Sequence, residues 1–421
     1  MAAHFSNEIP TERLFLVYVN EEESEDTYCE LELEGLVEAA GGEVAGSTRQ
    51  RLDRPHKATC VGKGKVEEIK AYAAETQADV VVFDCELTGI HIRNLEERLE
   101  KRVIDRTQLI LDIFARRAKT REGMLQVELA QLSYSLPRLM SVYTKFERQR
   151  GGIGMRGPGE TKLESDRRLV RDKIARLNEE IDDVKRHREM QRESRKDQPY
   201  ATVAIVGYTS AGKSTLMNRL CHTDLLADAM PFATLDPTTR KVQLPDGHSV
   251  FFVDTVGFIR KLPTMLVAAF RATLEELLHA DLLLHVVDVS NPEWEMQMDA
   301  VTDTVAVLGG QDIPVLTLFN KVDALPDKNM ATELVAQWPD SVAISALTGL
   351  GMPDLAAAIV RMVHERFGLV KALVPYDHAQ LAENAYRFGR VINKEYRDDG
   401  IYLEAEVVAE MRGKLAPYAV T

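Results

Sequence analysis

The sequence predicts a multidomain α/β protein built from three parts. These are an N-terminal α/β domain with an antiparallel helical hairpin, a doubly wound nucleotide-binding domain, and a small α+β domain at the C-terminus. Three observations predict them: a βα rhythm in the first hundred residues, two matching helical seams, and five short motifs in fixed order between residues 207 and 347. The predicted boundaries are 1–117 for the N-terminal domain, 118–197 for the hairpin, 198–370 for the nucleotide-binding domain and 371–421 for the C-terminal domain.

The N-terminal hundred residues alternate short apolar runs with amphipathic stretches, which predicts a small, mostly parallel α/β domain. A Gly/Lys turn at Gly62–Lys65 leads into one of the predicted helices. Such a turn either holds a phosphate at a helix N-terminus or serves as a plain turn. The predicted strands are Leu14–Val19 and Asp79–Phe83, and the predicted helices are Glu30–Ala40, Lys65–Glu75 and His91–Leu99.

The predicted hairpin rests on two apolar seams with the same 4-3-4-3 spacing. Matching seams joined by one connector favour two helices that pack antiparallel as a coiled coil. The alternative is that each seam packs on a globular core. Pro137 is expected to kink the first helix. The seams are Leu125, Leu129, Leu132, Leu136, Leu139 and Val170, Ile174, Leu177, Ile181, Val184.

The connector between the seams, residues 148–162, is basic and has five glycines among nine residues. Glycine lets the backbone approach a phosphate chain closely, and arginine supplies charge and stacking on bases. This composition favours a tip that contacts folded RNA, while a flexible hinge is the alternative. The residues expected to contact RNA are Arg148, Arg150, Gly152, Gly154, Arg156, Gly157 and Lys162.

The first of the five motifs runs from Gly207 to Ser214 and reads G-Y-T-S-A-G-K-S. A glycine-rich turn of this kind lets successive backbone N–H groups close around nucleotide phosphates, while Lys213 reaches the β and γ oxygens. The Ser214 hydroxyl is expected to hold Mg²⁺. This motif predicts a P-loop nucleoside triphosphatase and leaves the base undetermined.

The base is predicted by the motif N-K-V-D, Asn320–Asp323. Guanine has an N1–H and an exocyclic amino group that one carboxylate accepts together, whereas adenine has neither donor on that edge. A site built around such a pairing rejects the wrong base by about 10⁴-fold. We expect Asp323 to read guanine, Asn320 to brace the loop and the Lys321 stem to lie along the base. The sequence therefore predicts a GTP-binding domain.

Two further motifs each follow a predicted strand. Asp254–Gly257 comes after an apolar run, so Asp254 is expected to hold the metal through a water and the Gly257 N–H to sense the γ-phosphate. Ser345–Leu347 is expected to offer backbone N–H groups to the guanine O6.

The remaining motif is a switch region, Phe232–Arg240. A switch loop needs a hydroxyl that joins Mg²⁺ only when the γ-phosphate is present. Thr234, Thr238 and Thr239 compete for that role, and spacing does not choose among them. Phe258 occupies the place where many switches carry a glutamine that orients water, so intrinsic hydrolysis is expected to be slow.

Composition restricts the class of protein. Net charge is −14, yet residues 101–200 alone carry a net +8, so one basic segment lies in an acidic chain. The four cysteines show no C-x-x-C spacing and are expected to be reduced thiols of a cytoplasmic protein. No apolar stretch approaches the roughly 18 residues of a membrane span, although peripheral membrane association is compatible with the sequence. No feature demands more than a monomer.

The motifs together resemble the HflX family of bacterial GTPases. The resemblance rests on the runs Y-T-S-A-G-K-S, F-A-T-L-D-P-T-T-R, D-T-V-G-F-I and G-P-G-E-T-K-L-E, and it covers essentially residues 10–370. It implies a ribosome-associated GTPase that docks on the large (50S) subunit and inserts the hairpin tip near the peptidyl-transferase centre of the 23S rRNA. Such a protein would dissociate stalled 70S ribosomes under stress.

The resemblance also implies roles for single residues. It places Mg²⁺ on Ser214 and Thr234, and it accounts for Phe258, since the family has a hydrophobic residue in place of the catalytic glutamine. Ser210 stands where relatives commonly have an asparagine that helps to hold potassium, so cation-stimulated hydrolysis is not implied here. Some relatives bind ATP through the N-terminal domain, which the Gly62–Lys65 turn makes conceivable as a secondary ATPase activity.

The predicted site therefore holds GTP or GDP with Mg²⁺, whereas the residue that catalyses hydrolysis is not identified by the sequence. Alternatives to ribosome splitting are a large-subunit assembly GTPase, a regulatory switch acting on a protein partner, and an ATP-dependent RNA remodeller. The residues expected to bind GTP are Gly207, Tyr208, Thr209, Ser210, Ala211, Gly212, Lys213, Ser214, Phe232, Ala233, Thr234, Leu235, Asp236, Asp254, Thr255, Val256, Gly257, Asn320, Lys321, Val322, Asp323, Ser345, Ala346 and Leu347.

Overall fold

The structure is a computed structural model, and its contacts divide the chain into two units. Of the described residues, those up to Asp182 and Phe232 form the first unit, and the others form the second. The described residues are 11–20, 26–52, 54–147, 158–196, 200–221, 232, 238–245, 247, 249–260, 277–327, 329–364, 367–387 and 389–420.

The first unit contains a four-stranded parallel sheet in the order β2-β1-β3-β4. Its core lies between the sheet and the helices and includes Phe15, Val17, Phe83 and Leu95. The prediction of a small parallel α/β domain is confirmed. The elements are β1 Arg13–Asn20, α1 Asp26–Ala39, β2 Glu43–Arg51, α2 Lys63–Glu75, β3 Val80–Phe83, α3 Gly89–Leu99, β4 Arg102–Asp105 and α4 Arg106–Arg117.

Three of these elements, β2, β4 and α4, were not predicted from the sequence. Strand β2 is a polar edge strand with no buried residue, so it lacks the apolar run that marks β1 and β3. Strand β4 is only four residues long and leads directly into α4, whose first residue Arg106 is itself buried. A buried arginine interrupts the apolar pattern by which a helix is recognised.

The helical hairpin consists of α5 (Arg121–Glu147) and α6 (Pro158–Lys196). Two ion pairs fix its direction, Arg121–Glu180 at 3.3 Å and Glu128–Lys173 at 2.5 Å. Moving towards the C-terminus of α5 means moving towards the N-terminus of α6, so the two helices are antiparallel. The predicted hairpin is confirmed.

The burial of the two seams differs. Leu177 and Ile181 are the buried positions of the α6 seam. Among the described side chains, the buried apolar positions of α5 are Leu125, Val127, Ala130 and Tyr134, while the other seam leucines are half-buried. Helix α5 turns this face to the N-terminal domain, where the Tyr134 hydroxyl donates to Asp105 at 2.6 Å. Each predicted seam therefore contains buried and half-buried residues, and α5 buries a further set of residues against the N-terminal domain.

The structure describes only part of the predicted connector. Residues 148–157 lie outside the described residues, so Arg148, Arg150, Gly152, Gly154, Arg156 and Gly157 stay predictions. Helix α6 begins at Pro158, so the predicted tip was too long by the segment 158–162, which is helical and includes Lys162. The described part of α5 is helical through Pro137.

The second unit contains a six-stranded sheet in the order β10-β9-β8-β5-β7-β6, parallel except that β6 runs antiparallel to β7. This is the predicted doubly wound P-loop domain. Its elements are β5 Ala201–Gly207, α7 Lys213–Cys221, β6 Thr238–Gln243, β7 Ser249–Asp254, β8 Leu282–Asp288, α8 Trp294–Leu308, β9 Val315–Asn320, α9 Asn329–Gln337, β10 Ser341–Ala343 and α10 Met352–His364.

A small antiparallel sheet, β11-β13-β12, follows with two helices on one face. The hairpin predicted around Asp398–Gly400 is present, since Arg397 and Gly400 are paired at the turn between β12 and β13. Among the described residues, no helix is both long and apolar enough to cross a membrane. The elements are β11 Phe367–Val374, α11 Ala379–Arg387, β12 Gly389–Arg397, β13 Gly400–Val408 and α12 Ala409–Leu415.

Candidate nucleotide-binding site

The P-loop connects the end of β5 to the start of α7. Its backbone is possible only with glycine at two positions: a Cβ on Gly207 would collide with the carbonyl oxygen of Val286, and a Cβ on Gly212 with the side-chain amide of Asn320. Both have positive φ, +152° and +98°. The two glycines of the motif therefore shape a turn that leaves room for neighbouring strands and for a ligand.

Asn320 joins the two ends of the site. It lies at the end of β9, is buried, and its Nδ2 donates to the Ala211 carbonyl at 2.8 Å. Its Oδ1 accepts from the Ala346 N–H at 2.9 Å. One amide thus ties the P-loop to the loop that follows β10, and we refer to these two bonds as the Asn320 brace. The bracing contact expected from the sequence is present in the structure.

Lys213 lies buried at the first position of α7. Its Nζ donates to the carbonyls of Gly207 at 3.0 Å and Tyr208 at 2.6 Å. Burial lowers the pKa of Lys213 to about 8, an effect that the nearby Asp254 carboxylate opposes. A Cβ built on Gly257 would lie 3.1 Å from the Lys213 Nζ, so the glycine of the Asp254–Gly257 motif adjoins the ammonium.

The residues after β7 pair with the P-loop backbone. Phe258 N–H donates to the Gly207 carbonyl at 3.1 Å, and Thr209 N–H donates to the Phe258 carbonyl at 2.7 Å. The Tyr208 hydroxyl accepts from the Arg260 N–H at 2.6 Å. The Thr255 hydroxyl, also buried, donates to the Ile205 carbonyl at 2.7 Å. The phosphate loop and the segment expected to sense the γ-phosphate therefore form one hydrogen-bonded unit.

The expected base-reading residues follow β9. Lys321 has a left-handed φ of 65°, and its Nζ makes an ion pair with Asp288 at 2.6 Å. Asp323 is exposed, and Val322 between them is buried against the core. Val322 anchors the loop, so Lys321 and Asp323 are held at the surface of the domain beside the end of β8.

The loop Ser345–Leu347 uses two of its three N–H groups within the protein. Ser345 N–H donates to the Leu350 carbonyl at 3.0 Å, and Ala346 N–H donates to Asn320. To donate to a guanine O6, the N–H groups of Ser345 and Ala346 would have to leave their present acceptors or bond to two acceptors at once. Arg219 of α7 also binds this loop through the carbonyls of Ala346 and Leu347.

The switch region is described only in part. Residues 233–237, which include Ala233, Thr234, Leu235 and Asp236, lie outside the described residues. Phe232 is buried in the first unit, with its ring edge-on to that of Phe114 at 4.6 Å. Thr238 and Thr239 are in β6, where Thr238 pairs with Asp254.

Mg²⁺ is implied by the motifs, and the residues present fit it. Ser214 lies in the first turn of α7, and Asp254, at the end of β7, is buried and electrostatically coupled to Lys213. A hydroxyl and a carboxylate are the hard oxygen donors that Mg²⁺ takes in nucleotide sites. We expect Ser214 to hold the ion directly and Asp254 to hold it through water.

Four residues of the site were not found from the sequence: Arg219, Asp288, Tyr208 as a hydroxyl acceptor, and His285. His285 lies in β8, and burial lowers its pKa to about 4, with a further contribution from the charge on Lys213. Of these four, only Tyr208 belongs to a recognised motif. The signal for Asp288 was its position at the end of an apolar run, as for Asp254.

Comparison with known proteins assigns the family. Three family models match successive stretches: the GTP-binding GTPase N-terminal region at 29–115, the GTP-binding GTPase middle region at 117–195, and the 50S ribosome-binding GTPase at 202–321. The GTPase HflX of Lacrimispora saccharolytica is 45% identical over 409 residues, which are 97% of this chain and 96% of that protein. The chain belongs to the HflX family of GTPases.

A second GTPase HflX agrees with this assignment. The GTPase HflX of Escherichia coli is 42% identical over 389 residues, 92% of this chain and 91% of that protein. A solved structure, the SsGBP and GDP complex, is 25% identical with a TM-score of 0.48 and covers 83% of this chain and 98% of that one. The predicted family is confirmed, and the chain is a P-loop GTPase.

Proposed function

We propose that this GTPase binds the large ribosomal subunit and, in its GTP form, separates stalled 70S ribosomes into subunits. The observation that carries the proposal is the hairpin: α5 and α6 form one antiparallel rod, and in the sequence the basic, glycine-rich connector joins them. Membership of the HflX family and the match of residues 202–321 to a 50S ribosome-binding GTPase support it.

The rod has the dimensions of a probe. The 27 residues of α5 extend about 40 Å at 1.5 Å per residue. Its far end carries Arg148, Arg150 and Arg156 among glycines, in a chain whose net charge is −14. An acidic protein with cationic charge concentrated at one tip is attracted to polyanions through that tip. Structured rRNA, which offers both phosphates and stackable bases, is the partner that we propose.

The nucleotide would control this contact. A ligand shifts an equilibrium only through a difference in affinity between two states, so the GTP form must bind the large subunit more tightly than the GDP form. The family resemblance places the γ-phosphate-dependent hydroxyl on Thr234, and the position of Thr238 and Thr239 in β6 is compatible with that choice. Lys213 and the P-loop N–H groups would hold the phosphates, and Mg²⁺, when bound, would neutralise charge between the β and γ oxygens.

Hydrolysis would be slow until the partner is engaged. The Phe258 side chain is apolar and buried, so it offers no hydrogen bond to a water molecule. Its backbone is paired with the P-loop, which restricts its movement. The GTP form would therefore persist for the time that subunit separation requires. The proposed place of action is the cytoplasm, where ribosomes are.

The test is sedimentation of purified 70S ribosomes with the protein loaded with a non-hydrolysable GTP analogue or with GDP. We expect free subunits, with the protein on the large one, only in the GTP-analogue sample. Binding without separation would instead favour a large-subunit assembly GTPase. Absence of ribosome binding in both states would contradict the proposal and leave a GTPase with another partner.

A charge-matched pair of variants tests the tip. Arg148, Arg150 and Arg156 changed to alanine should remove large-subunit binding while leaving GDP affinity unchanged. The control changes three exposed arginines of α6, Arg168, Arg171 and Arg176, to alanine, with the same loss of charge. If both variants weaken binding equally, the contact is non-specific electrostatics and the tip has no special role.

A further inference from the structure

Two cysteines of the N-terminal domain lie in contact. The Sγ atoms of Cys60 and Cys85 are 3.3 Å apart, although the two residues are far apart in the sequence. Cys60 precedes α2, and Cys85 follows β3, at the carboxyl end of the parallel sheet. Both are free thiols.

The loops that carry the thiols are held in place. Residues 56–60 form a closed turn in which the backbones of His56 and Cys60 exchange hydrogen bonds of 2.8 and 2.9 Å. Helix α3 fixes this turn from one side: the Asn94 Nδ2 donates to the Ala58 carbonyl at 2.8 Å, and the His91 ring contacts the Lys57 carbonyl at 3.2 Å. The thiol contact is therefore set by the fold and not by a chance rotamer of a loose loop.

The chemistry of the pair favours a thiolate. The hydrogen bond with the Cys85 thiol lowers the pKa of Cys60, although burial opposes the effect. Cys60 also stands three residues before the first residue of α2, where the helix dipole favours negative charge. Burial and the same hydrogen bond raise the pKa of Cys85. Cys60 is therefore the sulfur that ionises, and Cys85 keeps its proton.

Access to the pair is one-sided. Cys60 is buried, whereas Cys85 is only half-buried. The half-buried side gives a small oxidant access to the sulfur pair, and whichever sulfur is oxidised has the other in contact at 3.3 Å. This is the arrangement of a sulfur that is oxidised and a sulfur that resolves the product.

We propose that Cys60 and Cys85 are a modification site that hydrogen peroxide converts to a disulfide. The Cys60 thiolate attacks one peroxide oxygen, the O–O bond breaks, and a sulfenic acid forms on Cys60; the hydroxide that leaves takes the proton of the Cys85 thiol and becomes water. Cys85, now the thiolate, attacks the Cys60 sulfur; the S–S bond forms, the S–O bond breaks, and the second hydroxide takes up the proton that Cys60 released when it ionised. In total two thiols and one peroxide give one disulfide and two waters, so the two electrons lost by sulfur reduce the peroxide.

The disulfide would act on the base of the hairpin. The segment that carries Cys85 also carries Leu87, whose carbonyl accepts from Arg138 of α5 at 2.8 Å and whose N–H donates to Asp105 at 3.0 Å. A covalent link at Cys85 restrains this segment against the loop before α2. The oxidised protein would therefore hold α5 on a stiffer support than the reduced protein does.

The experiment treats the full-length protein with hydrogen peroxide, blocks remaining thiols with an alkylating agent, and measures intact mass and tryptic peptides. We expect two of the four thiols to be lost together, with a decrease of about 2 Da before alkylation, the mass of the two hydrogens lost on S–S formation. One crosslinked pair of peptides, containing Cys60 and Cys85, should appear and should disappear on treatment with dithiothreitol.

Single variants separate a resolving pair from ordinary thiol oxidation. In Cys85→Ser, Cys60 should accumulate as sulfenic or sulfinic acid, with no crosslinked peptide. Cys221→Ser, which removes a half-buried thiol of the second unit, should leave the Cys60–Cys85 crosslink unchanged. Alkylated Cys60 and Cys85 in peroxide-treated wild type, or a crosslink to Cys29 or Cys221 in their place, would overturn the proposal. The wild-type peptide map decides even if a variant folds poorly.

Discussion

Removing the Asn320 brace should weaken nucleotide binding. Asn320→Ala deletes a donor to Ala211 and an acceptor from Ala346, both in a buried position. Each orphaned buried group costs about 1–3 kcal/mol, so the braced arrangement loses about 2–6 kcal/mol in total. Part of this cost falls on stability and part on affinity, because the two loops no longer stand ready for the nucleotide.

Affinity is the informative readout. If only about 2 kcal/mol of the loss appears in binding, GDP affinity falls roughly 30-fold, since 1.4 kcal/mol corresponds to a factor of ten. Fluorescence titration with a labelled GDP measures this directly. Asn320→Asp keeps the shape and an acceptor for Ala346 but sets an anion against the Ala211 carbonyl, so it should bind no better than the alanine variant.

The matched control is Asn94→Ala. Asn94 makes a similar bond of 2.8 Å to the Ala58 carbonyl in the N-terminal domain. It should lower the thermal midpoint without changing GDP affinity. A GDP affinity of Asn320→Ala within about twofold of wild type would refute the reasoning, because the brace would then be a structural bond with no share in preparing the site.

Three further predictions concern the same site. Gly212→Ala should abolish GDP binding because its Cβ collides with the Asn320 brace. The control Gly247→Ala, also at positive φ but in open space, should cost only about 1 kcal/mol of stability. Equal GDP affinities of the two variants by titration would contradict the prediction. Tyr208→Phe loses its 2.6 Å bond to the segment after β7 and should lower the preference for GTP over GDP several-fold. The control Tyr376→Phe, which loses a 2.7 Å bond in the C-terminal domain, should leave that preference unchanged. Competition binding measures both, and an unchanged preference in Tyr208→Phe would show that the tyrosine bond does not help to distinguish GTP from GDP. Because the pKa of Lys213 is lowered to about 8 and phosphate binds the ammonium form, GDP affinity should be constant below pH 8 and fall as pH rises above it; calorimetry in two buffers at about pH 8.5 should show proton uptake on binding, and no uptake would show that the lysine is already protonated.

The motifs of the nucleotide site were recognisable because each is a short run of fixed residue types. Gly207 and Gly212 have positive φ, which only the local glycines of the P-loop allow without strain, although their close neighbours Val286 and Asn320 are distant in the sequence. The ion pair of Lys321 with Asp288 was beyond such reasoning, because it depends on β8 and β9 being neighbours in the sheet. A pair of this kind becomes visible only when strand order is known.

The first unit shows the same limit. Strands β1 and β3 were recognisable as buried apolar runs, while β2 is polar because it lies at the sheet edge. Arg106, buried between Glu32 at 2.6 Å and Asp84 at 2.8 Å, looked like a solvated charge in the sequence. Its partners lie on α1 and after β3, so only the assembled sheet brings the three charges together.

The antiparallel register of the hairpin determines where the chain tolerates an inserted residue. A single residue inserted between Arg121 and Glu128 would turn the remainder of α5 by about 100° and pull one of the two ion pairs apart. A residue inserted in the connector would lengthen the tip and leave every contact below it in register. Mutations can therefore change the connector of the hairpin while the contacts between its two helices are retained.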